Sequence, residues 1–191
     1  MSHLLRILLV RHGQTEWNAT GRFVGRSDIP LDATGRVQVH RLSQAYRDTR
    51  FIATYSSPSS RAMETARAFG EPIPDADLLE LHMGELDGLD GATFATRHPE
   101  LAEAWRKDPS HLRLPSGETL AEAQTRGLRA IERIRAQHAG GGTVAVVSHQ
   151  MLISATRCAL AGHPLRRFRH YTLKNGAGIM LTWNGAWKEE A

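Results

Sequence analysis

The chain alternates between short apolar runs and longer amphipathic stretches. Leu4 to Val10 is an almost unbroken apolar run, interrupted only by Arg6, which is the pattern of a strand buried on both faces. Phe51 to Tyr55 and Thr143 to Val147 predict two further strands. From Asp32 to about Tyr46, Val37, Leu42 and Ala45 fall on or near one face of a predicted helix. Ser57-Pro58 has the form of an N-cap followed by proline at the first helical position, opening a helix that runs to about Phe69. Leu78 to Leu81 reads as a short extended segment. Ala92 to Lys107 predicts one or two short helices interrupted near Pro99, followed by a loop from Pro109 to Gly117. Thr119 and Glu122 have capping-box spacing, and Leu128, Ile131 and Ile134 continue a helix to about His138. Gln150 to Leu160 predicts a helix ended by Gly162 and Pro164. Arg169 to Leu173 and Ala177 to Trp183 are expected as the last two strands, joined by a turn at Asn175-Gly176. Strands alternating with helices imply an α/β fold with a mainly parallel sheet.

Composition narrows the class. At 191 residues, with 23% charged and 41% hydrophobic residues, the chain is expected to form one globular domain and is neither disordered nor fibrous. There is no internal repeat or low-complexity segment, and Gly140-Gly141-Gly142 is too short to be a domain linker. Cys158 is the only cysteine, which excludes an intramolecular disulfide and a cysteine zinc site and favours a reducing compartment. No apolar run approaches the ~20 residues of a membrane helix. Met1 to Val10 has too short an apolar core, and no small-residue cleavage site, to read as a signal peptide, so the cytoplasm is the expected location. The formal charge of +4 and the ten histidines suggest anionic partners without choosing among them.

The polar residues at the strand ends sharpen that suggestion. Ligands of open α/β sheets bind outside the carboxyl ends of the strands. Arg11-His12-Gly13 follows the first predicted strand, Ser57 to Arg61 the second, and Ser148-His149 the third. An arginine or histidine after a strand is ordinarily a solvated charge or a hydrogen-bonding turn residue. Two of each delivered to one edge, beside helix starts with free N–H groups, point instead to a small anion, most simply a phosphate.

Arg11-His12-Gly13-Gln14-Thr15 resembles the Arg-His-Gly-x-Thr signature of the histidine phosphatase superfamily, the phosphoglycerate mutase-like family. The resemblance continues through Glu16-Trp17-Asn18, Gly21 to Gly25, Asp28 to Leu31, Ser57 to Arg61 with Glu64-Thr65-Ala66, and Leu79 to Gly84 with Asp87-Gly88. It ends with Pro115 to Thr119 and Val146 to His149, and so spans nearly the whole chain. It implies a three-layer α/β/α sandwich with a mainly parallel central sheet, in one domain over residues 1–191 with a cap or lid-like segment at about 85–115.

By position, the resemblance makes His12 the nucleophile that becomes phosphohistidine. Arg11, Arg61 and His149 would hold the phosphoryl oxygens, with a hydrogen bond from Asn18 and the backbone N–H of Gln150 within reach. Glu80 would protonate the leaving oxygen and then help deprotonate the attacking water. No metal or other cofactor is implied, because arginines supply the charge. Phe23, Val24, Gly25, His82, Met83 and Leu86 are candidates for the substrate pocket, with Arg97 a further specificity candidate. His3, His40, His98, His111, His138, His163 and His170 carry no motif and read as surface or packing residues.

The chain departs from the family pattern at Leu86 and Asp87, where many phosphatases have tryptophan and glutamate, and at Gln150, where many have glycine. The expected activity is a phosphatase acting on a small phosphorylated metabolite. The alternatives are a cofactor-dependent phosphoglycerate mutase and a non-catalytic phosphate-binding module. Mutases of the family carry a basic insertion between the acid and the second histidine, whereas here only 69 positions separate Glu80 from His149. Trp105-Arg106-Lys107 reads as a solvated helix face. Arg166, Arg167, Arg169 and His170 raise nucleic-acid binding, but no aromatic platform frames them and they read as a solvated turn. Neither nucleic acid nor membrane is an expected partner; a homodimer is a generic expectation.

Overall fold

The computed structural model describes residues 4–190, so His3 lies outside it. Six strands form one sheet in the order β3-β2-β4-β1-β5-β6. They are β1 (Leu5–Arg11), β2 (Phe51–Ser56), β3 (Pro72–Pro74), β4 (Gly142–Ser148), β5 (Gly178–Trp183) and β6 (Trp187–Glu189). The pairs β1–β4, β2–β4 and β2–β3 are parallel, while β5 runs antiparallel to both β1 and β6. In register, Arg11 lies opposite Ser148 and Ser56 opposite Val147, so three parallel strands end at one edge.

The apolar runs are buried on both faces, as their patterning requires. Leu5, Ile7 and Leu9 face one core with Val144 and Val146, and there they meet α6 (Leu120–Gln137) and α7 (Gln150–Leu160). Leu8, Val10, Ala145 and Val147 face the other core, closed by Ala62 and Ala66 of α3 (Ser60–Ala66) and by Leu42 of α2 (Ala33–Ala45). The result is the expected three layers. Short α1 (Glu16–Ala19) follows β1, and α4 (Gly91–Arg97) and α5 (Pro99–Lys107) flank the break at Pro99. The capping box of α6 forms as its spacing predicts, with Thr119 and Glu122 exchanging side-chain-to-backbone bonds.

Three sequence expectations fail. Arg169 to Leu173 is not a strand, because Leu165–Tyr171 is a 3-10 helix. The extended segment expected at Leu78 to Leu81 instead begins as a 3-10 turn at Ala76–Leu78, and the strand of that region is Pro72–Pro74. The helix after β2 starts at Ser60 rather than Pro58 and ends at Ala66.

Candidate active site

The carboxyl ends of β1, β2 and β4 place His12, Arg61 and His149 together, nearly sealed from solvent at 3%, 1% and 0% exposure. The His12 and His149 rings meet edge to face, 5.0 Å between centroids. His12 Nδ1 lies 2.6 Å from the carbonyl oxygen of Gly13. A carbonyl only accepts, so Nδ1 carries the proton and Nε2 keeps its lone pair. Gly13 is held by an N–H bond to Thr65 Oγ1 at 3.1 Å. A Cβ there would sit 2.6 Å from the carbonyl oxygen of Gly35, so only glycine lets the two backbones approach.

Each partner is fixed by its own scaffold. Arg61 donates through Nη1 to Ser27 O and through Nη2 to Gly25 O, both at 2.8 Å. Arg11 Nη1 donates at 2.8 Å to both Gln150 Oε1 and Leu173 O. His149 Nε2 lies 2.8 Å from Ser57 Oγ. Among the described residues, six buried side-chain polar atoms have no hydrogen-bond partner, and three of them are Arg11 Nε, Arg61 Nε and His149 Nδ1. Burial lowers the pKa of His12 well below the ordinary histidine range, reinforced by the charges of Arg61 and then Arg11. His149 is held low in the same way, by burial first and then by Arg61.

Glu80, 4% exposed, is seated on the N-terminus of α7. Its Oε1 accepts the N–H groups of Leu81 at 2.8 Å and Leu152 at 3.1 Å, and its Oε2 accepts that of Met151 at 3.1 Å. Glu80 thereby supplies the cap that the His149 side chain does not. Burial raises its pKa, opposed by those three bonds and by the Arg61 charge. Asn18 Oδ1 is engaged by Thr15 N and Oγ1 and by Asn175 Nδ2, at 3.1–3.2 Å, which turns its own Nδ2 away from them.

A cavity of about 270 Å³ opens beside His12. Of the residues expected at the site, Arg11, His12, Asn18, Phe23, Val24, Glu80, Met83 and Gln150 line it, while Arg61 and His149 lie behind the lining. Gly25 does not, since its carbonyl serves Arg61. His82 does not either, its backbone N–H being bonded to Glu118 Oε2. Leu86 is a core residue, and Arg97 lies outside the lining. Gln150, one of the departures, uses its side chain to hold Arg11. The sequence reading missed Arg22, Met151, Phe168 and Thr172, and placed Trp105 and Arg169 in solvent, although both line the cavity. Asn175 was read only as a turn residue, yet it donates to His12 O at 3.2 Å as well as to Asn18. Among the described residues no group of three or more His, Cys, Asp or Glu is placed to hold a metal ion, and no helix is long and apolar enough to cross a membrane.

Fold and cluster together define the class: an α/β/α protein with a cationic site at the carboxyl ends of its parallel strands. A model of the histidine phosphatase superfamily (branch 1) matches residues 7–189. Phosphoserine phosphatase 1 of Hydrogenobacter thermophilus is 31% identical over 91% of this chain and 84% of its own. Probable phosphoglycerate mutase GpmB of Yersinia enterocolitica is 32% identical over 90% of this chain and 82% of its own. The solved structure of Bacillus stearothermophilus YhfR superposes with a TM-score of 0.91 at 27% identity, covering 97% of this chain and 95% of that one. The chain belongs to the histidine phosphatase superfamily, branch 1. It is an enzyme of the phosphatase class.

Proposed function

We propose that the protein hydrolyses a small phosphomonoester through a phosphohistidine on His12. The carrying observation is the set of three buried, unpartnered nitrogens, Arg11 Nε, Arg61 Nε and His149 Nδ1, grouped around a histidine whose Nε2 is free. Buried polar atoms without partners need an explanation, and a phosphoryl group supplies three acceptor oxygens. His149 Nδ1 is then a donor, which makes its Nε2 the acceptor of the Ser57 hydroxyl.

The steps follow from these assignments. His12 Nε2 attacks phosphorus, the bond from phosphorus to the alcohol oxygen breaks, and Glu80 gives that oxygen its proton. Glu80 Oε2 accepts one backbone N–H where Oε1 accepts two, so Oε2 is the oxygen with room to carry the proton. Water then attacks phosphohistidine, Glu80 takes a water proton, and phosphate leaves. The residue 85–115 segment acts as a cap, a reading supported by Trp105 in the cavity wall. A cytoplasmic site of action is part of the same reading, supported by the lone buried thiol of Cys158.

Phosphoserine is a candidate substrate from the Hydrogenobacter relative, and mutase activity is a second reading from the Yersinia relative's name. The deciding assay offers phosphoserine and a panel of phosphomonoesters with and without chelator, and separately 3-phosphoglycerate with its bisphosphate. Chelator-insensitive phosphate release is expected. Mutase turnover with little phosphate release would replace the proposal, and loss of activity with chelator would end its metal-free form.

A further inference from the structure

Both arginines of the site are held by neutral oxygens. Arg61 gives its terminal nitrogens to the carbonyls of Gly25 and Ser27. Arg11 gives Nη1 to the amide oxygen of Gln150 and to the carbonyl of Leu173, both at 2.8 Å. Neither arginine forms an ion pair among the described residues. Glu80 is near enough to act on both charges, but its oxygens accept the backbone N–H groups of Leu81, Met151 and Leu152. A carboxylate in place of these neutral acceptors would fix a guanidinium equally well, yet it would cancel the charge that an anionic ligand seeks.

The two bonds of Arg11 also decide which of its edges is left over. Nη1 carries two protons, and both are taken. The guanidinium is a rigid planar fork with five N–H groups, so Nε–H and the two on Nη2 remain. Nε–H and one Nη2–H lie parallel on one edge, which can donate to two oxygens of a phosphoryl group at once. Nε is buried and has no partner. Of the two acceptors on Nη1, only Gln150 is a side chain, placed at the first position of α7 and in the cavity wall. With the Leu173 carbonyl alone, one Nη1 proton is unpaired and the fork can swing about a single bond.

We propose that Gln150 is a positioning residue for phosphoryl binding: its neutral amide oxygen, with the Leu173 carbonyl, occupies Nη1 of Arg11 and so presents the Nε–Nη2 edge to the phosphoryl group with its charge uncancelled. This inference rests on the phosphatase reading only for the identity of the anion. Its test reads the binding of inorganic phosphate and needs no turnover.

The test compares Gln150→Met, which keeps the side-chain length but lacks the acceptor, with Gln150→Glu, which keeps the acceptor but adds a charge. Both residues suit the first turn of a helix. Phosphate affinity is read by phosphorus NMR titration, and the Arg11 fork by its Nη signals in isotope-labelled protein. In the wild type the Nη1 and Nη2 signals of Arg11 should be resolved, because rotation about Nε–Cζ is hindered. Gln150→Met should merge them and weaken phosphate binding about tenfold. Gln150→Glu should keep them resolved and weaken binding at least as much, through charge. In an Arg11→Met background Gln150→Met should change the affinity by less than about twofold, since the fork on which it acts is gone. Should Arg11→Met fail to fold, the contrast between the two Gln150 variants decides alone. Resolved signals or near-wild-type affinity in Gln150→Met, a loss that persists without the Arg11 fork, or near-wild-type affinity in Gln150→Glu each overturns the proposal. If these effects appear and no phosphomonoester is hydrolysed, the phosphatase reading fails while the positioning role of Gln150 stands.

Discussion

Asp87 holds Arg61 without touching it. The two carboxylate oxygens of Asp87 accept the N–H groups of Gly25 at 2.7 Å, Arg26 at 3.1 Å and Ser27 at 2.9 Å. The carbonyls of Gly25 and Ser27 then accept the two terminal nitrogens of Arg61. The departure from the family pattern at Asp87 thus supports the backbone that holds Arg61. Asp87→Ala frees the 25–27 backbone and lets the guanidinium wander. We expect KM for a phosphomonoester to rise about tenfold, or ~1.4 kcal/mol of binding, with kcat changed less. Steady-state kinetics check this, and an unchanged KM would show that the Arg61 cradle stands without its anchor.

What the sequence made legible was whatever is local. The strands β1 and β4 show as apolar runs because both of their faces are buried, and the Thr119–Glu122 capping box needs residues only three apart. The misses are non-local or use a rarer period. Ser57 looked like a helix cap, but its hydroxyl is engaged by His149, while Asp28 Oδ1 from a distant loop accepts Ser60 N at 2.7 Å at the start of α3. Leu165, Phe168 and Tyr171 recur every three residues, the repeat of the 3-10 helix that replaces the expected strand. Pro72-Ile73-Pro74 carries no apolar run to mark it as a strand, and its prolines are tolerated because β3 is an edge strand. At the site, His12, Arg11, Arg61 and His149 are legible because each lies at or shortly after the carboxyl end of a strand with a clear apolar run. Asn175 and Arg169 arrive from chain segments whose only sequence signals were a turn and a charge.

Asn175 illustrates the cost of losing such a residue. Its Nδ2 is the donor shared by His12 O and Asn18 Oδ1. Asn175→Ala leaves the Asn18 amide with Thr15 alone to orient it. A typical hydrogen bond contributes ~0.5–1.5 kcal/mol, so kcat/KM should fall roughly three- to tenfold. Asn175→Asp should be worse, because a carboxylate facing two acceptor oxygens offers no donor. Equal activity in both variants would remove Asn175 from the site's support.

His12 and Glu80 separate chemistry from binding. His12→Ala should abolish the acid-labile phosphoenzyme and turnover, read by radiolabelling and phosphate release. Glu80→Gln should lower kcat by about 10²–10⁴ with an ester of a poor leaving alcohol and by much less with p-nitrophenyl phosphate, whose leaving group needs no proton. An equal loss on both esters would deny Glu80 the role of acid.

The two buried histidines should also make the fold acid-sensitive. Both are held neutral well below the ordinary histidine value of about 6.5. The unfolded chain takes up protons as pH falls through that value and the folded chain does not, so stability is lost from about pH 6.5 downward. Each group can contribute up to ~1.4 kcal/mol per pH unit in that window. Glu80 acts in the opposite sense: its raised pKa means that the folded state holds the proton longer, a contribution present in acid and lost as pH rises through the raised value. Denaturant midpoints from pH 7.5 to 5 should therefore fall in the wild type and fall less steeply in His12→Asn or His149→Asn. Identical slopes would mean that these histidines titrate normally in the fold.

Arg126 is the residue on which the position of Glu80 depends. From α6 it donates to the carbonyls of Asp77 and Glu80 at 2.9 Å, and also to that of Leu79. With its remaining donors it makes a two-pronged pair with Glu118, Nε to Oε1 at 2.8 Å and Nη2 to Oε2 at 3.0 Å. Both side chains are largely buried, so Arg126→Met strips three carbonyls of a donor and leaves Glu118 with only the half-exposed Arg26, 3.6 Å away, as a cationic partner. Removing one partner of a buried pair costs ~3–5 kcal/mol, and that is the expected loss in denaturant unfolding. Where the variant is still folded, Glu80 shifts with its carbonyl, so kcat should fall while KM for a phosphomonoester changes less. The double change Arg126→Met/Glu118→Met removes the stranded charge and should recover part of the stability. It should recover none of the kcat, because the Glu80 carbonyl still has no donor. A double variant that regains activity along with stability would show that Arg126 only balances Glu118 and does not position the acid.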